Sequence, residues 1–290
     1  MFSENKTAGF ILDEASRFAV PCFFIISGFF WRPDRISDVI PASLSILRKI
    51  GFFFVIWTIF YFAVEFSGIY QPVFTAKLRN FIIALGTGGP GYHLWFLPAL
   101  IMGSILVWTS LRMLGTKYTV IACAALYSIG VAIGAYGPLI GVKVPTFVYR
   151  NGIFEAPLLL LCGYLMQAKA TYVSRLWFFL LAVAGMILHL LEGGLTGKFP
   201  SGHDYSFGTL FFAIGLFGLF RTLSAPVGRW GADVLGAYLI HLFLIRIVNE
   251  TFSFSNIGSA LFATLCAAVL SLLISRAMKM TAVTRRLVTP

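Results

Sequence analysis

The sequence predicts an all-α fold, a polytopic bundle of about nine membrane segments. Three observations predict it. Hydrophobic residues fill 59% of the 290 positions and charged residues only 11%, at a mean hydropathy of +0.88, whereas a soluble domain carries roughly 25% charged residues. The apolar residues come in long runs bounded by charges. The chain also carries 30 phenylalanines with 28 glycines and 12 prolines, and membrane helices tolerate Gly and Pro better than soluble ones do.

In chain order the apolar runs cover residues 16–31, 50–66, 94–111, 118–140, 147–166, 176–191, 207–220, 234–248 and 257–278. Runs 16–31 and 207–220 fall short of the ~20 residues of a full helical span and suit packing inside a bundle. No repeat and no long linker divides the chain, so residues 1–290 read as one membrane domain. The four cysteines, Cys22, Cys123, Cys162 and Cys266, sit in apolar runs at irregular spacing and read as small buried hydrophobes.

Charge follows topology. If the first run crosses from outside to inside, the inner loops collect Arg32, Arg35, Arg48 and Lys49, then Arg112 and Lys117, then Lys169 and Arg175, then Arg221 and Arg229. The tail adds Arg276, Lys279, Arg285 and Arg286, so most of the 22 Lys and Arg lie inside. The net charge of +11 is scattered over these loops with no basic stripe, which argues against nucleic acid as a partner. This orientation puts the N-terminus outside with no cleavable signal peptide, and one more leading helix would put it inside.

Ionisable groups at membrane depth are costly and point to function. Glu65, His93, His189 and Glu192 fall near the outer ends of their runs, and His203 and Asp204 lie in a loop on the same side. His241 and Arg246 sit deeper, and Arg246 and Glu250, four apart on one helix, can pair. In "GYHLWFLPAL" the glycine turn, Trp95 and Pro98 suit an interfacial anchor, with His93 bonded to a neighbour. The same block also suits a pocket in which His93 positions an acceptor and Trp95 stacks on a sugar face. The four cations Arg32, Arg35, Arg48 and Lys49 beside the first run attract anionic lipid heads or dock an anionic cytosolic ligand. The sequence holds no P-loop, HExxH or GxSxG, and no histidine pattern for a metal.

Four stretches, in order, resemble the membrane acyltransferase family three. They are "RFAVPCFFIISGFFW" (17–31), "LRKIGFFFVIWTIFYF" (47–62), "GYHLWFLPALI" (91–101) and "WGADVLGAYLIHLFLI" (230–245). The resemblance implies transfer of an acyl group, often acetyl, from a cytosolic acyl-CoA to a sugar hydroxyl of a surface polysaccharide or related glycan. It implies a multi-pass protein of the inner (plasma) membrane, with acyl-CoA as co-substrate rather than a bound cofactor. On this reading Arg32, Arg35, Arg48 and Lys49 anchor the donor phosphates. His93 and His241 are the candidate catalytic groups, and Trp95, Glu65, His189 and Glu192 meet the acceptor. The family also opens with a helix bearing an arginine and, about ten residues later, the histidine taken as base; no such helix precedes the Val-Pro block here. Ile46 stands where one of a pair of arginines is expected. Two rival readings follow, a transporter or exporter, and an inactive family remnant.

Overall fold

The computed structural model describes residues 6–32, 34–67, 91–168, 173–196, 199, 202–222, 228–252 and 257–289. Every regular element among them is helical. In chain order these are α1 (Lys6–Ser16), α2 (Ala19–Phe29), α3 (Asp34–Ser37), α4 (Val39–Phe66), a 3₁₀ turn (Tyr92–Trp95), α5 (Phe96–Ile133) and a second 3₁₀ turn (Gly137–Ile140). Then come α6 (Thr146–Tyr149), α7 (Ala156–Ala168), α8 (Arg175–Leu195), α9 (Phe207–Arg221), α10 (Gly228–Thr251), α11 (Ile257–Met278) and α12 (Ala282–Arg285).

Among the described residues, 5 stretches are long and apolar enough to cross a membrane: Val39–Phe66, Tyr92–Ile133, Arg175–Leu195, Asp233–Thr251 and Leu261–Met278. The expected nine are not confirmed, for local reasons, and run 207–220 supplies only the 15-residue α9. Run 16–31 supplies only the 11-residue α2. Run 147–166 is interrupted by turns before α7 begins at Ala156. Runs 94–111 and 118–140 lie in one stretch of 42 residues that is two helices meeting at Gly115, so the two runs remain distinct helices. At 1.5 Å per residue that stretch measures about 63 Å, twice a hydrocarbon core of about 30 Å. It is kinked at Gly115, whose φ of 73° and ψ of 173° leave the helical region; this backbone suits a residue without a Cβ.

The chain separates into two compact units, one made of residues 1–4, 46–98 and 225–290, the other of 5–45 and 99–224. In the first, Phe53, Trp57, Tyr61 and Phe62 of α4 form the core with Leu239, Ile240 and Leu242 of α10 and Ala263 and Ala267 of α11. Trp57 donates its indole N–H to the Leu287 carbonyl at 2.9 Å, and Lys279 holds Asp233 at 2.6 Å.

In the second unit, small residues let backbones touch, as membrane helices commonly do. A Cβ on Gly28 of α2 would lie 1.9 Å from the Leu160 carbonyl oxygen of α7, and one on Gly163 of α7 would lie 1.9 Å from that of Ile25. Helices α8 and α9 run antiparallel, with Gly208 against His189, Gly215 against Ala182 and Gly218 against Phe178. That pairing sets Arg175 and Arg221 at the same end of the hairpin.

Candidate functional site

In the first unit the 3₁₀ turn ahead of α5 carries His93 into contact with α10. Gly91 permits this approach, since a Cβ there would meet the Tyr61 ring at 2.6 Å. His93 is buried at 6% exposure, and Tyr238 Oη donates to its backbone carbonyl at 2.7 Å. The imidazole Nε2 lies 3.2 Å from the Leu239 carbonyl oxygen, and Tyr61 Oη donates to that same oxygen at 2.8 Å. A carbonyl only accepts, so Nε2 carries a proton. The other nitrogen, Nδ1, is buried without a hydrogen-bond partner among the described residues. In the neutral ring it is therefore a bare lone pair.

His241 stands edge-on to His93, with ring centroids 4.9 Å apart. Its Nδ1 donates to the Tyr238 carbonyl one turn back on α10. Tyr61 and Tyr238 flank His93 at centroid distances of 5.1 and 5.3 Å. Arg246, further along α10, reaches the buried carboxylate of Glu65 at 3.2 Å. The spacing argument had offered Glu250 as its partner, whereas the structure supplies an acid from another helix.

Trp95 is half-buried in the same turn, and Arg48 and Lys49 are exposed on α4. Arg32 is exposed in the second unit, just after α2; the side chain of Arg35 lies outside the described residues. His93, His241 and Glu65 thus gather in one unit, while His189 and Glu192 belong to the other.

There, His189 and Glu192 sit in a closed polar network. Glu14 of α1 pairs with His189 Nε2, and neither side chain is exposed. His189 Nδ1 lies 2.8 Å from Ser206 Oγ and 3.0 Å from Thr209 Oγ1. Glu14 also accepts from the His203 backbone N–H at 2.8 Å, and His203 Nε2 meets Thr196 Oγ1. Glu192 takes the Tyr136 hydroxyl at 2.8 Å and the N–H groups of Phe207 and Gly208 at 3.2 and 2.8 Å. It is a resident anion on the first turn of α9, where the helix dipole favours negative charge. At the edge of this network, Asp204 gathers Arg17 at 3.3 Å, Arg150 and the Tyr149 hydroxyl at 3.2 Å.

Sequence reasoning saw the histidines and missed Glu14, Ser206 and Thr209. In "FILDEASR" an acid beside another acid reads as a solvated helix face. The available signal was the Ser206-to-Thr209 spacing, which makes a capping box at the start of α9.

Comparison with known proteins gives the family. Residues 2–276 match the family described as an acyltransferase domain, and that match covers both units. The chain belongs to acyltransferase family three. It is 28% identical over 253 residues to a serine/alanine racemase of Enterococcus gallinarum, covering 79% of this chain and 35% of that protein. Two amino-acid racemases of Enterococcus faecalis are 32% and 27% identical over 167 and 190 residues, covering 51% and 60% of this chain and 23% and 26% of their own length. The chain thus spans about a third or less of the curated relatives it matches. No solved structure matches. Family and apolar helices together make this a membrane protein of acyltransferase type.

Proposed function

We propose that the chain is an O-acyltransferase of the plasma membrane that moves an acyl group, acetyl in the simplest case, from a cytosolic coenzyme A thioester to a sugar hydroxyl of a surface glycan. The observation that carries this reading is His93: one nitrogen is tied to the Leu239 carbonyl, and the buried Nδ1 is left open. A general base needs that arrangement, a fixed ring with a lone pair directed at an incoming proton.

In this mechanism the acceptor hydroxyl gives its proton to His93 Nδ1 as its oxygen attacks the thioester carbonyl. The tetrahedral intermediate collapses with cleavage of the C–S bond, and the leaving thiolate takes the proton back from the imidazolium. His241, edge-on to His93, fixes the ring plane. Trp95 offers an aromatic face to the sugar, and Glu65 is held by Arg246 beside the acceptor. Arg32, Arg35, Arg48 and Lys49 suit the donor's phosphates, since guanidinium groups bind phosphate in a bidentate manner. His189 and Glu192, whose polar atoms already have protein partners, hold the walls of the second unit rather than touching the acceptor.

The test uses membranes from cells expressing the whole chain, with labelled acetyl-CoA and label counted in the glycan fraction. Wild type should incorporate label above empty membranes, and His93→Ala should incorporate about a hundredfold less. Equal incorporation by the variant removes His93 from the chemistry. No incorporation by wild type favours the remnant reading.

A second reading, transport, is favoured by the relatives' names. Each is an amino-acid racemase, and a membrane portion in such a protein could pass the amino acid across the bilayer. Uptake of labelled serine or alanine into vesicles without acyl donor, lost in His93→Ala or not, separates this reading from the first.

A further inference from the structure

At one end of the α8–α9 hairpin the second unit carries two open apolar pockets. The first, of about 280 Å³, is lined by Cys162, Leu165 and Met166 of α7, Val173, Phe178 of α8, and Ile214 and Arg221 of α9. The second, of about 470 Å³, is lined by Arg175, Leu176, Phe179, Leu216, Leu219 and Phe220. The two share no residue, yet each has one arginine among otherwise uncharged walls. Neither lining contains an acid.

The geometry points to a bound phospholipid with a net-negative headgroup, its phosphate on Arg221 and an acyl chain in the pocket between α7, α8 and α9. Three observations converge on that occupant. Arg221 is anchored where it lines the pocket: Nη1 donates to the Met166 carbonyl at 3.1 Å, and the guanidinium carbon lies 5.9 Å over the Phe178 ring. A cation held in this way loses little side-chain entropy when an anion arrives. The antiparallel pairing puts Arg175 at the same end, so two guanidinium groups serve one headgroup region. The described residues at that end, 167–168, 173–175 and 216–222, include Arg175 and Arg221 and not one Asp or Glu.

The walls select a lipid over a soluble anion. Leu176 is 63% exposed and Phe220 58%, while Val173 and Phe179 stand about half exposed. Apolar side chains this open, on a helix long enough to cross a membrane and on the apolar helix packed against it, are covered by hydrocarbon. A chain lodged among them gains burial, and its phosphate gains charge-assisted hydrogen bonds in the low-dielectric headgroup zone. A zwitterionic lipid would bring its own cation towards two arginines, which favours the anionic headgroup.

The test is native mass spectrometry of the whole chain reconstituted in bilayer nanodiscs of phosphatidylcholine doped with phosphatidylglycerol. Wild type should retain phosphatidylglycerol in preference to phosphatidylcholine as collision energy rises. Arg221→Gln should weaken that retention about tenfold, as loss of a charged hydrogen bond implies. Ile214→Trp, which fills the pocket with Arg221 intact, should weaken it too, and Arg286→Gln, an exposed cation elsewhere, should not. Should Arg221→Gln fail to fold, Ile214→Trp and the wild-type preference still decide. Equal loss of the two lipids from wild type, or retention untouched by Arg221→Gln and Ile214→Trp, overturns the proposal. So does displacement of the lipid by an acyl-CoA alone, which would give the pocket to a donor.

Discussion

His93 and His189 are both buried imidazoles in a membrane protein, and they are partnered in opposite ways. His189 meets Glu14 through one nitrogen and Ser206 and Thr209 through the other. His93 meets a backbone carbonyl through one nitrogen, and nothing among the described residues through the other. A buried polar atom without a partner costs about 1–3 kcal/mol, and a fold retains such atoms where they serve something beyond stability. On the proposed function the open ring does the chemistry and the closed one supplies cohesion.

The sharpest way to break that assignment is to substitute each histidine and read activity and stability together. His93→Ala should lower acyl transfer about 10²–10⁴-fold and lower the melting temperature less than His189→Ala does, since removal of an unsatisfied atom partly offsets the cavity it leaves. His189→Ala should do the reverse. It leaves the Glu14 carboxylate buried without its partner, which costs about 3–5 kcal/mol. Thermal melting of the detergent-solubilised chain, set beside the label-incorporation assay, checks both. If His93→Ala unfolds the protein and His189→Ala keeps it folded and inactive, the two roles are exchanged.

The next effect sharpens the reading of the closed network. Glu14→Gln and His189→Asn should each destabilise by about 3 kcal/mol, and the double variant by much less than the sum. The reason is that removing one partner strands the other, and removing both strands neither. Melting temperatures of the three variants make the cycle. Additive losses would mean that the pair does not act as a unit.

How much of this was legible beforehand differs between the two histidines. "HLWFLPAL" and "YLIHLF" marked His93 and His241 as candidates, but their edge-to-face contact depends on the turn at Gly91 and the approach of α10, which no local pattern encodes. Glu14 was invisible, because an acid next to Asp13 looks solvated until its burial is seen. The helical class followed from the apolar runs. The span count did not, because hydropathy averages across the turns before Ala156 and does not show how short α2 and α9 are. Arg246 shows the same limit, since i,i+4 spacing offers Glu250 and only the fold offers Glu65.

Glu155 tests whether the second unit is closed throughout. It sits in the turn before α7, 1% exposed, with Oε2 lacking a partner among the described residues. Burial pushes its carboxyl up from 4.5 to about 8, with Arg150 and Arg17 pulling the other way. Between those two pH values the native state holds a proton that the unfolded chain has released. Stability should therefore fall as pH rises from about 4.5 to about 8, by at most about 1.4 kcal/mol per pH unit, and level off above. Glu155→Gln keeps the shape and removes the proton, so its melting temperature should lose that part of the slope between pH 5 and pH 8. An unchanged slope would mean that Glu155 is ionised and compensated, and the second unit would then be closed at every acid.

The smallest expected effect probes the rim of the network. Tyr136 donates its hydroxyl to Glu192 at 2.8 Å, and two α9 N–H groups also reach that carboxylate. Tyr136→Phe deletes one of three donors and leaves the ring in place against Phe207, 6.4 Å away between centroids. The loss should be about 1 kcal/mol, because the tyrosine is partly exposed and water can replace its hydroxyl. Acyl transfer should stay unchanged. A melting temperature that falls as far as in Glu14→Gln would instead make Tyr136 a main support of the network. A fall in activity at full stability would mean that Glu192 meets the acceptor after all.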